Sequence, residues 1–327
     1  MNARLAAESG DTLINPPWLN PESYLALLNT GFPGCWDRRA YDWYMGRTFN
    51  GRSGDLLVRA RGSRILAGMA LLPRQILVGN RPIDVCVISA AATLPSERGC
   101  GHYVALLRAA TECARERQYT ALLGFVTRNR SSGRPLLKMG ALGIPSFYIR
   151  SVPGPQIRHP SRATGLRLRL ISSDHRQSGL DCAGVLAAQR GIPTARAALT
   201  SSARFHYANE EDWRSQFTRR PHPVRLVKFA QNSIALIETL HGTDRLQWSS
   251  CPEGAMLRSI ARLAALSTAS RRAFFMYTLD RDQADGARRL GLKVQDGYLL
   301  VLPSGYCSER WRALASASWC VQSGDRL

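Results

Sequence analysis

The hydrophobic pattern of the first half of the chain changes repeatedly between strand-like and helix-like periods. Short apolar runs bounded by turn residues predict strands, and apolar residues three and four apart predict helices. The expected strands cover residues 55–60, 65–72, 74–78, 83–94, 120–126 and 147–152, and the expected helices cover 21–28, 103–117 and 132–139. A hairpin followed by alternating helices and strands is typical of an α/β domain with a mixed sheet.

The second half repeats this order. Strands are expected at residues 224–229, 233–239, 272–278 and 298–302, and helices at 253–267 and 282–290. In each half a strand ends at a threonine thirteen residues before a glycine, at Thr127 and Gly140 and again at Thr278 and Gly291. Arg130 matches Arg281 at the same offset of 151 residues. Self-similarity of this kind indicates a duplication in which both halves share one fold.

The pattern divides the chain into five segments. A Pro-, Arg- and Ser-bearing stretch of weak periodicity separates the two halves, and the first 17 residues carry no clear pattern. We expect an N-terminal extension (1–19), a first domain (20–152), a linker or insertion (153–200), a second domain (201–303) and a C-terminal tail with a docked helix (304–327).

Composition indicates a globular protein without a membrane segment. Of the 327 residues, 45% are hydrophobic and 21% charged, and no apolar run approaches the ~18–20 residues of a membrane helix. The N-terminus resembles neither a signal peptide nor an anchor. Eight scattered cysteines predict free thiols in a reducing cytoplasm. Because no C-x-x-C pair and no Cys/His cluster has zinc spacing, we expect no metal site.

The net charge of +20 predicts attraction to anions, including phosphates and nucleic acids. Only three of the 44 basic residues are lysine, at Lys138, Lys228 and Lys293. Such a skew toward arginine is typical of a GC-rich coding sequence. The charge therefore does not identify a particular anion.

The loop between the expected strand 83–94 and helix 103–117 is the strongest chemical signal. It reads Pro95-Ser96-Glu97-Arg98-Gly99-Cys100-Gly101. Unpaired amides and the helix dipole make a helix N-terminus a site for anions, and glycines let a diphosphate approach the backbone. Arg98 adds a cation with bidentate geometry. The loop is therefore predicted to hold a pyrophosphate.

This loop resembles the coenzyme A (CoA) motif of the GNAT N-acyltransferase superfamily, R/Q-x-x-G-x-G/A. Arg98 and Gly101 match the motif, whereas Tyr103 stands where glycine or alanine is usual, and the preceding V-x-P appears as Thr93-Leu94-Pro95. The resemblance implies two GNAT-like domains, each a mixed, mostly antiparallel twisted sheet flanked by helices. The cofactor-binding residues that it implies are Ala91, Ala92, Thr93, Arg98, Gly99, Cys100, Gly101, His102, Tyr103 and Asn129.

The resemblance also implies an activity, direct transfer from acetyl-CoA or another acyl-CoA to an amine. The family's tyrosine acid would fall at Leu136 and its glutamate base near Val87, so both usual groups are missing. Asp84, Tyr103 and Tyr148 are the substitute catalytic candidates. The aromatic residues of the acceptor wall would be Trp36, Tyr41, Trp43 and Tyr44.

The second half resembles a degenerate copy of the first. Its counterpart of Gly101 is Pro252, and Ser249-Ser250-Cys251 replaces Arg98-Gly99-Cys100. Without an arginine or paired glycines, that loop is predicted to be a poor diphosphate site.

Three functions fit these features. The first is a small-molecule N-acetyltransferase with one CoA site, without a membrane partner and with homodimerisation as an open alternative. The second is an aminoacyl-tRNA-dependent transferase, which the +20 charge suits. The third is a non-catalytic CoA-binding or regulatory module, which the missing acid and base favour. The Arg98–Gly101 loop favours CoA over tRNA.

Overall fold

The computed structural model describes residues 11–129, 131–151, 202–228, 233–251 and 253–326. Arg130, Pro252 and the predicted linker at 153–200 lie outside these residues. The described residues form two compact units. The first contains residues 11–126, 131–143 and 299–316, and the second contains the others.

The chain as far as residue 138 contains the predicted strands and helices, together with further elements. The strands are β1 (Asp11–Ile14), β2 (Thr48–Phe49), β3 (Arg52–Ser53), β4 (Asp55–Arg61), β5 (Arg64–Val78), β6 (Arg81–Thr93) and β7 (Ala121–Thr127). The helices are α1 (Pro21–Gly31), α2 (Arg38–Met45), α3 (His102–Glu116) and α4 (Gly133–Lys138). The pattern did not predict β1, β2, β3 or α2.

The sheet of the first unit has the strand order β1-β4-β5-β6-β7. Its pairs are antiparallel except β6–β7, which is parallel. The tight turn at Gly62 joins β4 to β5, as the sequence predicts. Helix α3 packs on β4, β5 and β6 through a buried face of Leu106, Leu107 and Ala110. The predicted mixed, mostly antiparallel sheet flanked by helices is confirmed in this unit.

The first 17 residues carry no clear pattern, yet residues 11–14 form a strand. They form β1, which pairs with β4 from Asp11 opposite Ala60 to Ile14 opposite Leu57. The backbone N–H of Asn15 also donates to the carbonyl of Leu56 at 2.8 Å. The four residues DTLI alternate too weakly to predict a strand, and the edge of β4 supplies the hydrogen bonds that make them one.

The remaining elements belong to the C-terminal part of the chain. The strands are β8 (Leu142–Arg150), β9 (Ser202–Phe205), β10 (Val224–Lys228), β11 (Ile234–Leu240), β12 (Thr243–Ser249), β13 (Ala273–Thr278), β14 (Lys293–Pro303) and β15 (Ser318–Cys320). The helices are α5 (Glu210–Phe217), α6 (Glu253–Ala269), α7 (Arg281–Arg289) and α8 (Ser308–Ser316). The sequence pattern predicted neither α5 nor β12.

The second unit repeats the design of the first. Strands β10, β11 and β12 form an antiparallel meander, and β12 pairs with β13 in parallel, as β6 pairs with β7. Strand β8 then pairs with β13 antiparallel, from Phe147 opposite Thr278 to Arg150 opposite Phe275. Its core gathers buried side chains that include Ile237, Ile260 and Phe274.

The internal repeat is confirmed by the element bounds. Helices α3 and α6 begin at His102 and Glu253, 151 residues apart, and β7 and β13 end at Thr127 and Thr278 with the same separation. In both halves a helix and a further strand follow. A matched order at one offset supports duplication rather than chance similarity.

The compact units do not follow the chain strictly. Residues 299–303 of β14 belong to the first unit, where the N–H of Ser304 donates to the carbonyl of Thr120 at 3.1 Å. Residues 144–150 of β8 belong to the second unit. The predicted boundaries instead assigned residues 201–303 to one domain and 20–152 to the other.

None of the described helices is both long and apolar enough to cross a membrane. Seven of the eight cysteines are described, and each is a free thiol; Cys182 lies outside the described residues.

Candidate functional site

The C-terminal end of β6 carries a bulge. Gly68 of β5 pairs with Ala92 and Ala70 pairs with Ser89, so that Ala90 and Ala91 together face one residue of β5. Ala90 has a φ of 47°, in the left-handed region that a residue with a side chain rarely adopts. A bulge bends the strand and redirects the residues that follow. It therefore determines where Ala91, Ala92 and Thr93 point.

Tyr24 of α1 holds this bulge. Its side chain is fully buried, and its hydroxyl donates to the carbonyl of Ala90 at 2.8 Å. A Cβ at Gly68 would lie 2.4 Å from Cε2 of Tyr24, so the ring lies directly on the backbone of β5. Glycine at position 68 is needed for this close approach.

Beyond the bulge, β6 extends past β7, its neighbour on the side opposite β5. The parallel pairing with β7 joins Cys86 to Leu122 and Val87 to Leu123. The N–H of Leu94 donates to Leu66 of β5 at 2.9 Å. Because successive residues of a strand direct their N–H groups to opposite sides, the N–H of Thr93 is directed away from β5. An amide in that position is available to a ligand.

The loop after β6 has the backbone that an anion cradle needs. A single turn of 3-10 helix, Pro95–Glu97, leads into an exposed Arg98. Gly99 and Gly101 follow with φ values of 85° and 79°, and Gly101 is the N-cap of the 15-residue helix α3. Nothing lies within 4 Å of a Cβ built at either glycine, so a ligand can approach the backbone.

The two residues after the cradle are less accessible. His102 is 3% exposed, and its Nε2 lies 3.3 Å from Oε2 of Glu97. Tyr103 lies half-buried in the first turn of α3, and burial raises the pKa of its hydroxyl to about 12. Neither His102 nor Tyr103 is therefore as open to a diphosphate as Arg98, Gly99, Cys100 and Gly101, which are all exposed.

Two other predicted site residues, Asp84 and Asn129, are not part of this loop. Asp84 lies nine residues before Thr93, about 30 Å along an extended strand. Its carboxylate accepts a hydrogen bond from Gln75 at 3.0 Å and lies 3.6 Å from Arg52. Asn129 is an exposed turn residue of the second unit. Their roles stay predictions.

Tyr148 also belongs to the second unit, on β8. It is 2% exposed, and its ring contacts Tyr277 with the centroids 5.1 Å apart. The guanidinium of Arg326 lies over the Tyr148 ring at 5.2 Å. Burial raises the pKa of the Tyr148 hydroxyl, so this group is protonated near neutral pH.

The predicted acceptor-wall aromatic residues cluster beside the bulge. The rings of Trp36 and Trp43 lie 5.1 and 6.0 Å from that of Tyr44, and the guanidinium of Arg47 stacks 3.7 Å from the Trp43 centroid. The Tyr44 hydroxyl donates to the Ser89 hydroxyl on β6. Sequence reasoning missed Ser89, because one serine in a β-prone run gives no signal until the partner hydroxyl is placed beside it.

Tyr41 extends the cluster toward α1. Its ring lies 6.4 Å from that of Tyr24, and burial raises the pKa of its hydroxyl. Leu136, which stands where the resemblance places an acid, is 1% exposed and packs into the core. The described residues at Leu136 and Val87 therefore offer no proton-transfer group.

Ser249 and Cys251, which precede the counterpart helix of the second unit, make hydrogen bonds within the protein. The Ser249 hydroxyl accepts a hydrogen bond from the N–H of Cys251 at 3.1 Å. Cys251 is 7% exposed, and its sulfur lies 3.2 Å from the Ser259 hydroxyl. The N–H of Cys251 is therefore already hydrogen-bonded, and its side chain is buried.

The second unit also has an open pocket of about 370 Å³. Arg128, Arg281 and Arg288 line it, and Arg288 pairs with Asp285 at 2.5 Å and Asp296 at 2.9 Å. No predicted site residue is among the described residues that line this pocket. It is therefore distinct from the loop of the first unit.

The chain matches no protein-family model and no curated protein. Solved structures are similar in fold. A tandem GNAT protein from the clavulanic acid biosynthesis pathway is 14% identical, with a TM-score of 0.54 over 90% of this chain and 99% of that one. A GCN5-related N-acetyltransferase from Sphaerobacter thermophilus is 13% identical, with a TM-score of 0.53 over 90% and 96%.

The N-myristoyltransferase of Saccharomyces cerevisiae, solved with bound myristoyl-CoA, is similar as well. It is 10% identical, with a TM-score of 0.57 over 90% of this chain and 83% of that one. Each likeness spans both halves of the chain, in agreement with the internal repeat. The chain therefore has a tandem GNAT fold, with two GNAT-like halves.

Proposed function

We propose that this chain is an N-acyltransferase that uses an acyl-CoA, in the first instance acetyl-CoA. The observation that carries the proposal is the exposed left-handed turn at Gly99 and Gly101, which opens helix α3 directly after the bulged end of β6. Backbone amides at a helix N-terminus favour a diphosphate, and Arg98 adds a cation beside them. The fold similarity to the CoA-bound N-myristoyltransferase supports the same choice of donor.

The strand end supports direct transfer. With the diphosphate at the loop, the thioester would lie along Ala91–Thr93, where the N–H of Thr93 is directed away from β5. A neutral amine attacks the thioester carbon, the amide N–H stabilises the oxyanion, and the C–S bond breaks. The ammonium proton then passes through water to the departing thiolate. Positioning the amine contributes several kcal/mol to this rate without a dedicated acid or base.

The aromatic cluster supports an acceptor of small size. Trp36, Trp43 and Tyr44 line the same end of β6, and Tyr44 is linked to it through Ser89. Aromatic rings packed edge-to-face or tilted offer an apolar wall, and the Tyr44–Ser89 hydroxyl pair offers a proton path to water. We assign the acceptor as a small-molecule primary amine with an apolar portion.

The direct test compares two glycine variants of the first unit. Gly101→Asp places a carboxylate against the diphosphate and should weaken acetyl-CoA binding at least about tenfold in titration calorimetry. Gly140→Asp is the matched control, because Gly140 also has a left-handed φ, of 91°, and nothing lies within 4 Å of its Cβ. Both variants carry the same backbone strain, and only the first faces the loop.

Activity is tested with a panel of small amines and chromatographic detection of free CoA. Chromatography is needed because the exposed Cys35 and Cys100 would react with thiol reagents. The proposal predicts one acyl-CoA site per chain and acylated amine as the product. Absence of binding by every acyl-CoA tested, or equal weakening by both glycine variants, would contradict it.

The net charge of +20 favours one second candidate, a transferase that takes an aminoacyl group from tRNA. Single-turnover transfer from charged tRNA near physiological ionic strength distinguishes the two donors. A CoA enzyme with a basic surface should release RNA steeply as salt rises and give no transfer. Product from tRNA with none from acyl-CoA would establish the second candidate.

The missing acid and base favour a third candidate, a CoA-binding module without catalysis. Its signature would be tight acyl-CoA binding, sensitive to Gly101→Asp, without turnover of any amine in the panel. Acylation of even one amine, lost together with binding in that variant, would exclude this candidate.

A further inference from the structure

Three different metal-ligating side chains meet in the loop that opens α3. Ligand atoms of Glu97, Cys100 and His102 all lie within 4.8 Å of one another. Among the described residues, these three form a group of His, Cys and Glu side chains close enough to bind one metal ion. The proposed acyl transfer uses none of these three side chains.

The backbone of the loop brings the three together. Glu97 ends a 3-10 turn whose N–H donates to the carbonyl of Leu94 at 2.9 Å. The left-handed conformations of Gly99 and Gly101 then reverse the chain on either side of Cys100. His102 begins a helix of 15 residues. The three ligands therefore sit on a turn constrained at both ends.

The histidine of this group is buried and is directed at Glu97. His102 is 3% exposed, and its Nε2 lies 3.3 Å from Oε2 of Glu97. Within the described part of the chain its other ring nitrogen, Nδ1, is buried without a hydrogen-bond partner. Nε2 is therefore the ring nitrogen that faces Glu97 and can ligate an ion shared with that carboxylate, whereas Nδ1 lies on the far side of the imidazole.

The other two ligands have long contacts with the rest of the loop region. The second carboxylate oxygen of Glu97, whose side chain is 14% exposed, lies 3.9 Å from the guanidinium of the exposed Arg64. The Cys100 sulfur is exposed, and its contact with the Arg98 carbonyl is 4.0 Å long. Small side-chain rotations would bring both groups to a common ion.

We propose that Glu97, Cys100 and His102 bind a divalent transition metal of the zinc type. One thiolate, one imidazole and one carboxylate are the donors that zinc prefers, whereas magnesium and calcium take oxygen donors alone. Three protein ligands leave the fourth tetrahedral position to water. On binding, the Cys100 thiol gives its proton to solvent, and the two negative ligands balance the charge of the ion.

The bound metal would fix the loop without using the groups proposed for the diphosphate. Arg98 and the amides of Gly99 and Gly101 remain unligated in this arrangement. The metal site therefore does not depend on the proposed transferase activity, and either one can fail alone.

The test uses the full chain, freed of metal by chelator and carrying no histidine tag. Cobalt(II) is the probe, because a thiolate ligand gives an intense charge-transfer band and tetrahedral geometry gives strong visible bands. One equivalent of cobalt per chain should bind, and zinc should displace it. Cys100→Ser should abolish the charge-transfer band, whereas Cys35→Ser, at another exposed cysteine, should leave it unchanged.

Zinc affinity, measured against a competing chelator, completes the test. Glu97→Gln and His102→Gln should each weaken zinc binding by about tenfold or more. Thermal melts without metal show whether each variant is folded. If His102→Gln unfolds the loop, Glu97→Gln still tests the site, because this substitution keeps the size and polarity of the side chain. A charge-transfer band that persists in Cys100→Ser, that disappears in Cys35→Ser, or that is missing from the wild type would overturn the proposal.

Discussion

Removing the Tyr24 hydroxyl tests whether this group holds the bulge of β6. In Tyr24→Phe the fully buried ring remains against Gly68, and only the 2.8 Å hydrogen bond to the Ala90 carbonyl is lost. Burial raises the pKa of Tyr24 well above its usual value, so the hydroxyl is a donor throughout the neutral range. The substitution therefore changes one contact without opening a cavity larger than an oxygen atom.

The size of the effect follows from the buried acceptor. A carbonyl left without its partner costs about 1–3 kcal/mol. For a domain of about 150–250 residues, each kcal/mol lowers the melting temperature by about 2–4 °C. The bulge also directs Ala91, Ala92 and Thr93, so acetyl-CoA should bind Tyr24→Phe more weakly than the wild type. Loss of stability and loss of binding should occur together.

The assay is thermal unfolding with and without acetyl-CoA, followed by titration calorimetry. Tyr306→Phe is the control, because Tyr306 is 39% exposed and lies outside both the bulge of β6 and the loop at residues 95–101. This control should melt within about 1 °C of the wild type. If Tyr24→Phe melts as the control does, the hydroxyl does not hold the bulge. If it is destabilised but binds acetyl-CoA normally, the bulge does not position the donor.

Three further predictions concern a buried carboxylate, a buried hydroxyl and a buried thiol. Asp244 is fully buried and pairs with Arg225 and Arg272, so Asp244→Asn should cost about 3–5 kcal/mol in denaturant unfolding, against about 1 kcal/mol or less for the half-exposed Asp285→Asn. The pKa of Tyr103 is raised to about 12 by burial, above its unfolded value of 10. Its contribution to stability is therefore complete below pH 10 and is lost toward pH 12, and Tyr103→Phe should not shift the pH–rate profile between about pH 6 and 9. Burial also raises the pKa of Cys113 to about 11, so a thiol reagent at about pH 8 should label Cys35 long before Cys113, and equal rates would contradict the buried placement.

The local elements of the site were predictable because their signals are local. The apolar spacing of α3 and the glycines of the loop each act within a few residues, and the structure has them as expected. The repeat was readable for the same reason. Thr127 and Thr278 end equivalent strands because equal patterns in the two halves produce equal elements.

Contacts between distant residues were not predictable in this way. Strand β1 forms only because it pairs with the edge of β4. Ser89 becomes a candidate site residue only because its hydroxyl lies beside that of Tyr44. The spacing of cysteine and histidine along the chain does not show that Glu97 lies near Cys100 and His102, because the left-handed Gly99 and Gly101 bring these side chains together. Such arrangements depend on backbone reversals and pairings whose geometry the residue types alone do not specify.

The sequence by itself determined the two GNAT-like halves, most of their strands and helices, and the loop at Arg98–Gly101. Hydrophobic period, turn residues and capping encode these locally, and distant parts of the chain do not alter them. Only the tertiary structure decided that residues 299–303 complete the first unit, that Asp84 lies far from the strand end, and that Tyr148 is buried in the second unit. The physical reason is that strand pairing and packing join residues more than a hundred positions apart, and no short pattern records which edge a strand will meet.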